Sequence, residues 1–193
     1  MDRRNALQSL SLFVAGVGGF PQQSSRRNPM STESTFSVTR HTLTTSKSFD
    51  ELIGEVEKRA PVVPVSKLDE LVALRLPQDD LRERVARLIG PSGFMIFLKI
   101  RHDSLFSQFG RTRASVQYAL GNPLIAKEVT DKAPAICLYA PLRLAVYESP
   151  DTRETIVSYD SPASLFSSFS VPEATDVGAM LARKMQDLVN QCL

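Results

Sequence analysis

His102 is the side chain with the clearest capacity for chemistry in this sequence. An imidazole takes up and releases protons near neutral pH, so it can act as a general acid or base. His102 follows an apolar segment, and counting by twos from Phe94 to Ile100 predicts that it shares their face of a strand. It would then lie at the edge of the core, where pockets form. The alternative is a partly buried histidine that satisfies a single hydrogen bond.

Two arginines and one carboxylate form a second group of candidates. The planar guanidinium groups of Arg113 and Arg143 suit a carboxylate or a phosphate. With Asp160 and Tyr159 they predict a site for an anionic ligand, and the alternative is a structural Arg–Asp pair at the end of a sheet. If the protein is an enzyme, Asp160 would orient His102 as a catalytic pair.

Asn122 and the two cysteines are interpreted mainly as structural residues. Asn122 precedes Pro123, a sequence typical of a helix start, where backbone N–H groups can also hold an anion. Cys137 lies in an apolar segment and is expected to be a core thiol, and Cys192 is expected to pack. The histidines and cysteines lack metal-ligand spacing, so no metal is predicted. Because neither a dinucleotide fingerprint nor a P-loop occurs, no cofactor is predicted.

The charge of the chain is nearly balanced. Lys and Arg number 23 and Asp and Glu 21, and the 42% apolar content is typical of a soluble globular protein. Residues 1–35 hold four arginines against two acids, so the remaining 158 residues carry equal numbers of basic and acidic groups. This balance argues against a nucleic-acid partner.

Residues 1–35 are predicted to be a disordered or targeting tail. Their apolar run, residues 10–20, is too short for a membrane span, which needs about 20 residues. Residues 1–29 could be a mitochondrial presequence, an export signal or an extension ahead of a true start at Met30. Without a targeting role for this segment, the cytoplasm is the expected compartment.

Residues 36–193 are predicted to form a single α+β domain with a mostly antiparallel sheet and helices on one face. The apolar segment 93–100 is expected to be a central strand, and residues 135–147 a long strand bent or at an edge at Pro141. Residues 149–152 predict a hairpin turn. Residues 61–91 contain two short helical patterns that enlarge the core, contact a partner or cover a pocket.

Landmark residues in a fixed order carry a family resemblance. They are Ile100-Arg101-His102, Arg113, Gly121-Asn122-Pro123, Pro141-Leu142-Arg143, Val146-Tyr147-Glu148 and Tyr159-Asp160-Ser161-Pro162. Together they resemble the domain-of-unknown-function 302 family. The resemblance implies a compact α+β domain, often a homodimer, with no agreed activity. It also suggests that residues 61–91 are an insert, because members often join the first helix directly to the next strand.

Three hypotheses about function follow. The first is a dimeric domain that binds a small molecule, an anionic one being favoured by the arginines, near His102. The second is an enzyme in which His102 is the general acid or base and Asp160 its partner. The third is a structural or protein-interaction module. An enzyme predicts His102 in contact with a carboxylate in a closed pocket, and an interaction module predicts exposed apolar residues in the 61–91 segment.

Overall fold

The sheet has five strands, all antiparallel, in the order β1-β5-β4-β3-β2. The structure is a computed structural model and describes residues 31–193, so the predictions for residues 1–29 lie outside the described residues. The strands are β1 (Arg40–Thr45), β2 (Met95–Arg101), β3 (Ser115–Gly121), β4 (Leu142–Glu148) and β5 (Thr155–Asp160). The predicted α+β fold with an antiparallel sheet is confirmed.

Helices connect most of the strands along the chain, and two follow the last strand. They are α1 (Phe49–Arg59), α2 (Val65–Ala73), α3 (Gln78–Ala86), α4 (His102–Phe106), α5 (Pro123–Thr130), α6 (Pro162–Ser167) and α7 (Pro172–Cys192), with 3₁₀ helices at Ser107–Phe109 and Pro134–Leu138. Helix α1 begins with a capping box, because Ser48 Oγ accepts from the Glu51 N–H and Glu51 Oε2 accepts from the Ser48 N–H. Asn122 caps α5 as predicted.

One face of the sheet carries the main hydrophobic core. Buried side chains alternate along β3, β4 and β5, and they pack with residues of α1, α6 and α7. Because neighbouring residues of a strand point to opposite sides, the remaining positions form the other face of the sheet. We call this second surface the open face.

A bulge in β2 changes which residues face the core. Ile96 pairs with Leu120, but the next pairing joins Leu98 to Ala119, so Phe97 is an extra residue in the ladder. Phe94 and Ile96 are fully buried, whereas Leu98 and Ile100 are 51% and 37% exposed. The prediction that these residues share one face with His102 is therefore wrong.

The strand β2 lies at the edge of the sheet, so the prediction that it is central is also wrong. Its first half is nevertheless covered, because the Val63 N–H donates to Ile96 O and the Ile96 N–H donates to Pro61 O, each at 2.8 Å. Met95 and Phe97 pack against a second, smaller apolar cluster formed by α2, α3 and Leu124. Burial on both sides explains why the segment is continuously apolar although it is an edge strand.

The segment before β4 is not a strand. Residues Pro134–Leu138 form a 3₁₀ helix, the Ala140–Pro141 peptide bond is cis, and β4 begins only at Leu142. The predicted strand over 135–147 is thus correct only in its second half. Cys137, expected in the core, is exposed, whereas Cys192 is buried as expected.

The segment 61–91 leaves and rejoins the fold at one place. The carbonyl of Arg59 accepts from the Ser92 N–H at 3.2 Å and from Ser92 Oγ at 2.9 Å, and Gly90 N–H donates to Phe94 O. Leu71 and Val85 are buried within the smaller cluster, so this segment adds apolar packing to β2. Val65, Val72 and Leu74 are exposed.

A polar contact joins α1 to the sheet on the helical side. The hydroxyl of fully buried Tyr118 donates to Glu57 Oε1 at 2.6 Å, and Lys99 Nζ lies 2.6 Å from the same oxygen. Burial, reinforced by the carboxylate, raises the pKa of Tyr118 well above its usual range. The phenol therefore stays protonated and acts as a hydrogen-bond donor that fixes α1 against β3.

Candidate functional site

The open face contains a concavity of about 490 Å³. Its floor is formed by small residues, because Ala145 of β4 lies opposite Ser158 of β5 in the register. Longer side chains rise around it, Arg143 and Tyr147 from β4 and Gln117 from β3. The cavity thus results from short side chains in the middle of the sheet and long ones around them.

Hydroxyl groups organise the floor. Ser158 Oγ lies 3.1 Å from Tyr147 Oη and 3.1 Å from Thr42 Oγ1, so one serine links the side chains of three strands. Each hydroxyl can donate or accept, and the direction of these bonds can adapt to what lies above them. The floor is polar and uncharged.

Charge is distributed unevenly around the concavity. Arg40 Nε donates to Asp160 Oδ1 at 2.7 Å and Arg40 Nη2 donates to Oδ2 at 3.2 Å, which is a bidentate pair. The Asp160 carboxylate raises the pKa of Arg40. Arg143 forms no ion pair with any residue in 31–193. One positive charge on this surface is therefore uncompensated.

His102 lies at the rim of the same concavity. It is the first residue of α4, it is partly exposed, and its ring stacks on that of Phe106 with centroids 5.7 Å apart. No hydrogen bond or ion pair between His102 and Asp160 occurs in the described part of the chain. The proposed catalytic pair is thus not assembled in this structure, because Asp160 is held by Arg40.

The other predicted site residues lie elsewhere. Tyr159 borders the cavity through its main chain, since its ring is buried on the helical side and stacks on His41 with centroids 4.9 Å apart. Burial raises the pKa of Tyr159. Arg113 donates to Pro150 O at 2.8 Å, away from the concavity. Asn122 Nδ2 donates to Gly93 O at 2.9 Å and borders a separate space of about 30 Å³.

Sequence reasoning missed several residues that surround the concavity: Arg40, Thr42, Gln117, Tyr147 and Ser158. Of these, Tyr147 alone stands in a landmark of the sequence, and each residue reaches the concavity through strand pairing. The β4–β5 hairpin could have indicated one of them from the sequence. Its turn sets the register of the two strands, and this register places Ser158 opposite Ala145.

Two structural features are absent from residues 31–193. These residues contain no group of three or more His, Cys, Asp or Glu side chains that could hold a metal ion. Within the same range, no helix has the length and apolar character needed to cross a membrane.

Comparison with known proteins places the chain in a family. Among curated proteins, none matches this sequence. A similar solved structure is that of an uncharacterised conserved protein DUF302 from Bacillus stearothermophilus, which shares 15% identity and a TM-score of 0.57 over 80% of this chain and 98% of that one. At that identity the likeness shows the fold alone. The family model of domain of unknown function DUF302 matches residues 72–192, more than half of the sequence, and this chain therefore belongs to the DUF302 family.

Proposed function

We propose that the protein binds a small anionic molecule in the concavity of the open face, with Arg143 as its charged contact. The observation that carries this proposal is an arginine with no ion-pair partner in residues 31–193 beside a polar, uncharged floor. A guanidinium group offers paired N–H donors that match a carboxylate or phosphate. His102 at the rim would contact the same ligand or limit its size.

Binding has more support than catalysis. A general base acts on a substrate most effectively when a neighbouring group orients it. Here the Asp160 carboxylate, which was expected to orient His102, is bound by Arg40 of β1. The concavity also opens to solvent. For this reason we propose a binding protein, with the enzyme hypothesis as the alternative.

Arginine replacement tests the binding site. We expect acetate, succinate or inorganic phosphate to bind the full-length protein, and Arg143→Gln to weaken that binding roughly tenfold or more, since a charged hydrogen bond contributes about 1.5–3 kcal/mol. Ala145→Leu should weaken it too by filling the floor. Titration calorimetry measures both effects, and Arg113→Gln is the matched control because Arg113 lies outside the concavity.

The outcomes separate the hypotheses. Equal losses in Arg143→Gln and Arg113→Gln would show a general charge effect and contradict the site. If His102→Ala leaves the affinity of every bound anion unchanged, His102 has no part in it. Turnover of a bound anion, abolished by His102→Ala and Asp160→Asn alike, would favour the enzyme instead.

We also propose that the protein is a homodimer joined beside β2. Three exposed apolar side chains, Leu105, Phe106 and Phe109, belong to α4 and the next 3₁₀ helix, which follow this edge strand directly in the chain, and Phe109 is 84% exposed. The backbone of β2 beyond Ile96 accepts no further strand among residues 31–193. A second copy related by a twofold axis would bury these side chains of both copies together.

Sedimentation velocity tests the dimer. The sedimentation coefficient of the full-length protein should correspond to twice the mass of one chain. Phe109→Ser should lower this coefficient toward that of the monomer. Leu138→Ser is the control, because Leu138 is 73% exposed in the other 3₁₀ helix. A monomeric wild-type protein at high micromolar concentration would contradict the proposal.

A further inference from the structure

Two aliphatic side chains extend the open face beyond the concavity. The bulge at Phe97 turns Leu98 and Ile100 away from the core, and both remain partly exposed at 51% and 37%. We call this pair the β2 strip. Charged and polar side chains are usual on a solvent-facing surface of a sheet, so adjacent exposed Leu and Ile mark a surface suited to apolar contact.

The register connects the β2 strip to the arginine. Leu98 lies opposite Ala119 of β3, and Ala119 lies opposite Arg143 of β4. Strands are spaced about 4.8 Å apart, so the strip lies about 10 Å from the arginine's strand. The residue between them is alanine, which leaves a low path across β3 from the charged side chain to the apolar ones.

Charge limits the head group of a ligand on this path. Arg40 is neutralised by Asp160, and Arg143 is the cation of the concavity without an ion-pair partner in residues 31–193. A single guanidinium complements one negative charge. The hydroxyls of Tyr147 and Ser158 can bond to the second oxygen of a carboxylate without adding charge.

From these observations we infer that the ligand is an amphipathic monocarboxylate, whose head group binds Arg143 and whose aliphatic chain crosses Ala119 to the β2 strip. This inference rests on the proposed function, because it requires anion binding at Arg143. It goes further by naming the class of ligand: a carboxylic acid with a chain long enough to span two strands. A second copy of the protein covering the strip is the competing occupant.

Decanoate is the probe, used below the concentration at which it forms micelles. It should bind the full-length protein at least about tenfold more tightly than butyrate, since each buried methylene contributes about 0.8 kcal/mol. Decanol, which has the chain without the charge, should bind at least tenfold more weakly than decanoate. Titration calorimetry gives the three affinities, and circular dichroism shows that each variant is folded.

Variants separate the two ends of the ligand. Arg143→Gln should reduce the affinity for decanoate to that for decanol. Leu98→Ser and Ile100→Ser should each weaken the affinity for decanoate severalfold. The affinity for butyrate should not change, because only the longer chain reaches the β2 strip. Leu138→Ser is the matched control, as it removes an exposed leucine that does not line the concavity.

The results distinguish the inference of an amphipathic ligand from the proposed binding of a small anion at Arg143. If decanoate and butyrate bind equally and both depend on Arg143, the ligand is a small anion, so the inference fails and the proposed function stands. If neither depends on Arg143, both fail. If Leu98→Ser and Ile100→Ser change the sedimentation coefficient but not the affinity for decanoate, a second copy covers the strip and the inference is overturned.

Discussion

Ile96→Ala is expected to lower the free energy of unfolding by about 2–5 kcal/mol, and Leu98→Ala by less than about 1 kcal/mol. The two residues are two positions apart in β2, where a regular strand would place both on the same face. The bulge separates them, so Ile96 is fully buried in the main core and Leu98 is half exposed. Urea denaturation of both variants measures the difference.

The comparison tests the bulge itself. Both substitutions shorten an aliphatic side chain to alanine in one strand, so β propensity changes in the same direction in each. Ile100→Ala should resemble Leu98→Ala, since it lies on the same side of the bulge. Similar large losses at all three positions would contradict the register, and would place Leu98 and Ile100 in the core.

Gly90→Ala is expected to destabilise the protein by at least about 2 kcal/mol, because overpacking at a rigid position costs about 1–3 kcal/mol or more. A Cβ at Gly90 would overlap the Arg59 carbonyl oxygen and Cδ of Pro61. These atoms belong to the point where the segment 61–91 leaves the fold, and the neighbouring Ser92 bonds to the same carbonyl. Relief of the overlap would have to break those contacts.

Gly54→Ala is the matched control for this substitution. Gly54 lies in the interior of α1, and a Cβ there would meet nothing within 4 Å beyond its own stretch of helix, so alanine should stabilise the helix by up to about 1 kcal/mol. Thermal unfolding should therefore shift in opposite directions for the two variants. A neutral Gly90→Ala would show that the two ends of the segment are not held together.

Local signals in the sequence mark several of the elements. Ser48 and Glu51 mark the start of α1, and Asn122 marks that of α5, because caps are formed by residues close in sequence. The β4–β5 hairpin follows from turn residues at 149–152 in the same way. These features require no knowledge of the rest of the chain.

Long-range packing accounts for the errors. The position of β2 could not be predicted, because its apolar character comes from α2 and α3 covering one side of an edge strand. The face of His102 depended on the bulge at Phe97, which has no local sequence signature here. The short helix α4, which begins at His102, was not predicted either, because the prediction continued β2 as a strand through His102.

Part of the lining of the concavity was predicted. The sequence nominated Arg143, His102 and Asp160, and the structure brings all three to one concavity. It could not show that Arg40, 120 residues away along the chain, binds Asp160 and leaves Arg143 unpaired among residues 31–193. That pairing depends on β1 lying beside β5, which is a property of the sheet order.

Arginine side-chain NMR during a titration with acetate tests the central claim most directly. The Nε–Hε resonance of each arginine in the full-length protein reports on its own contacts. We predict that the Arg143 resonance shifts and saturates, while that of Arg113, which is bonded to Pro150 outside the concavity, does not. Equal, unsaturable shifts of all arginines, with none specific to Arg143, would contradict an anion site on the open face.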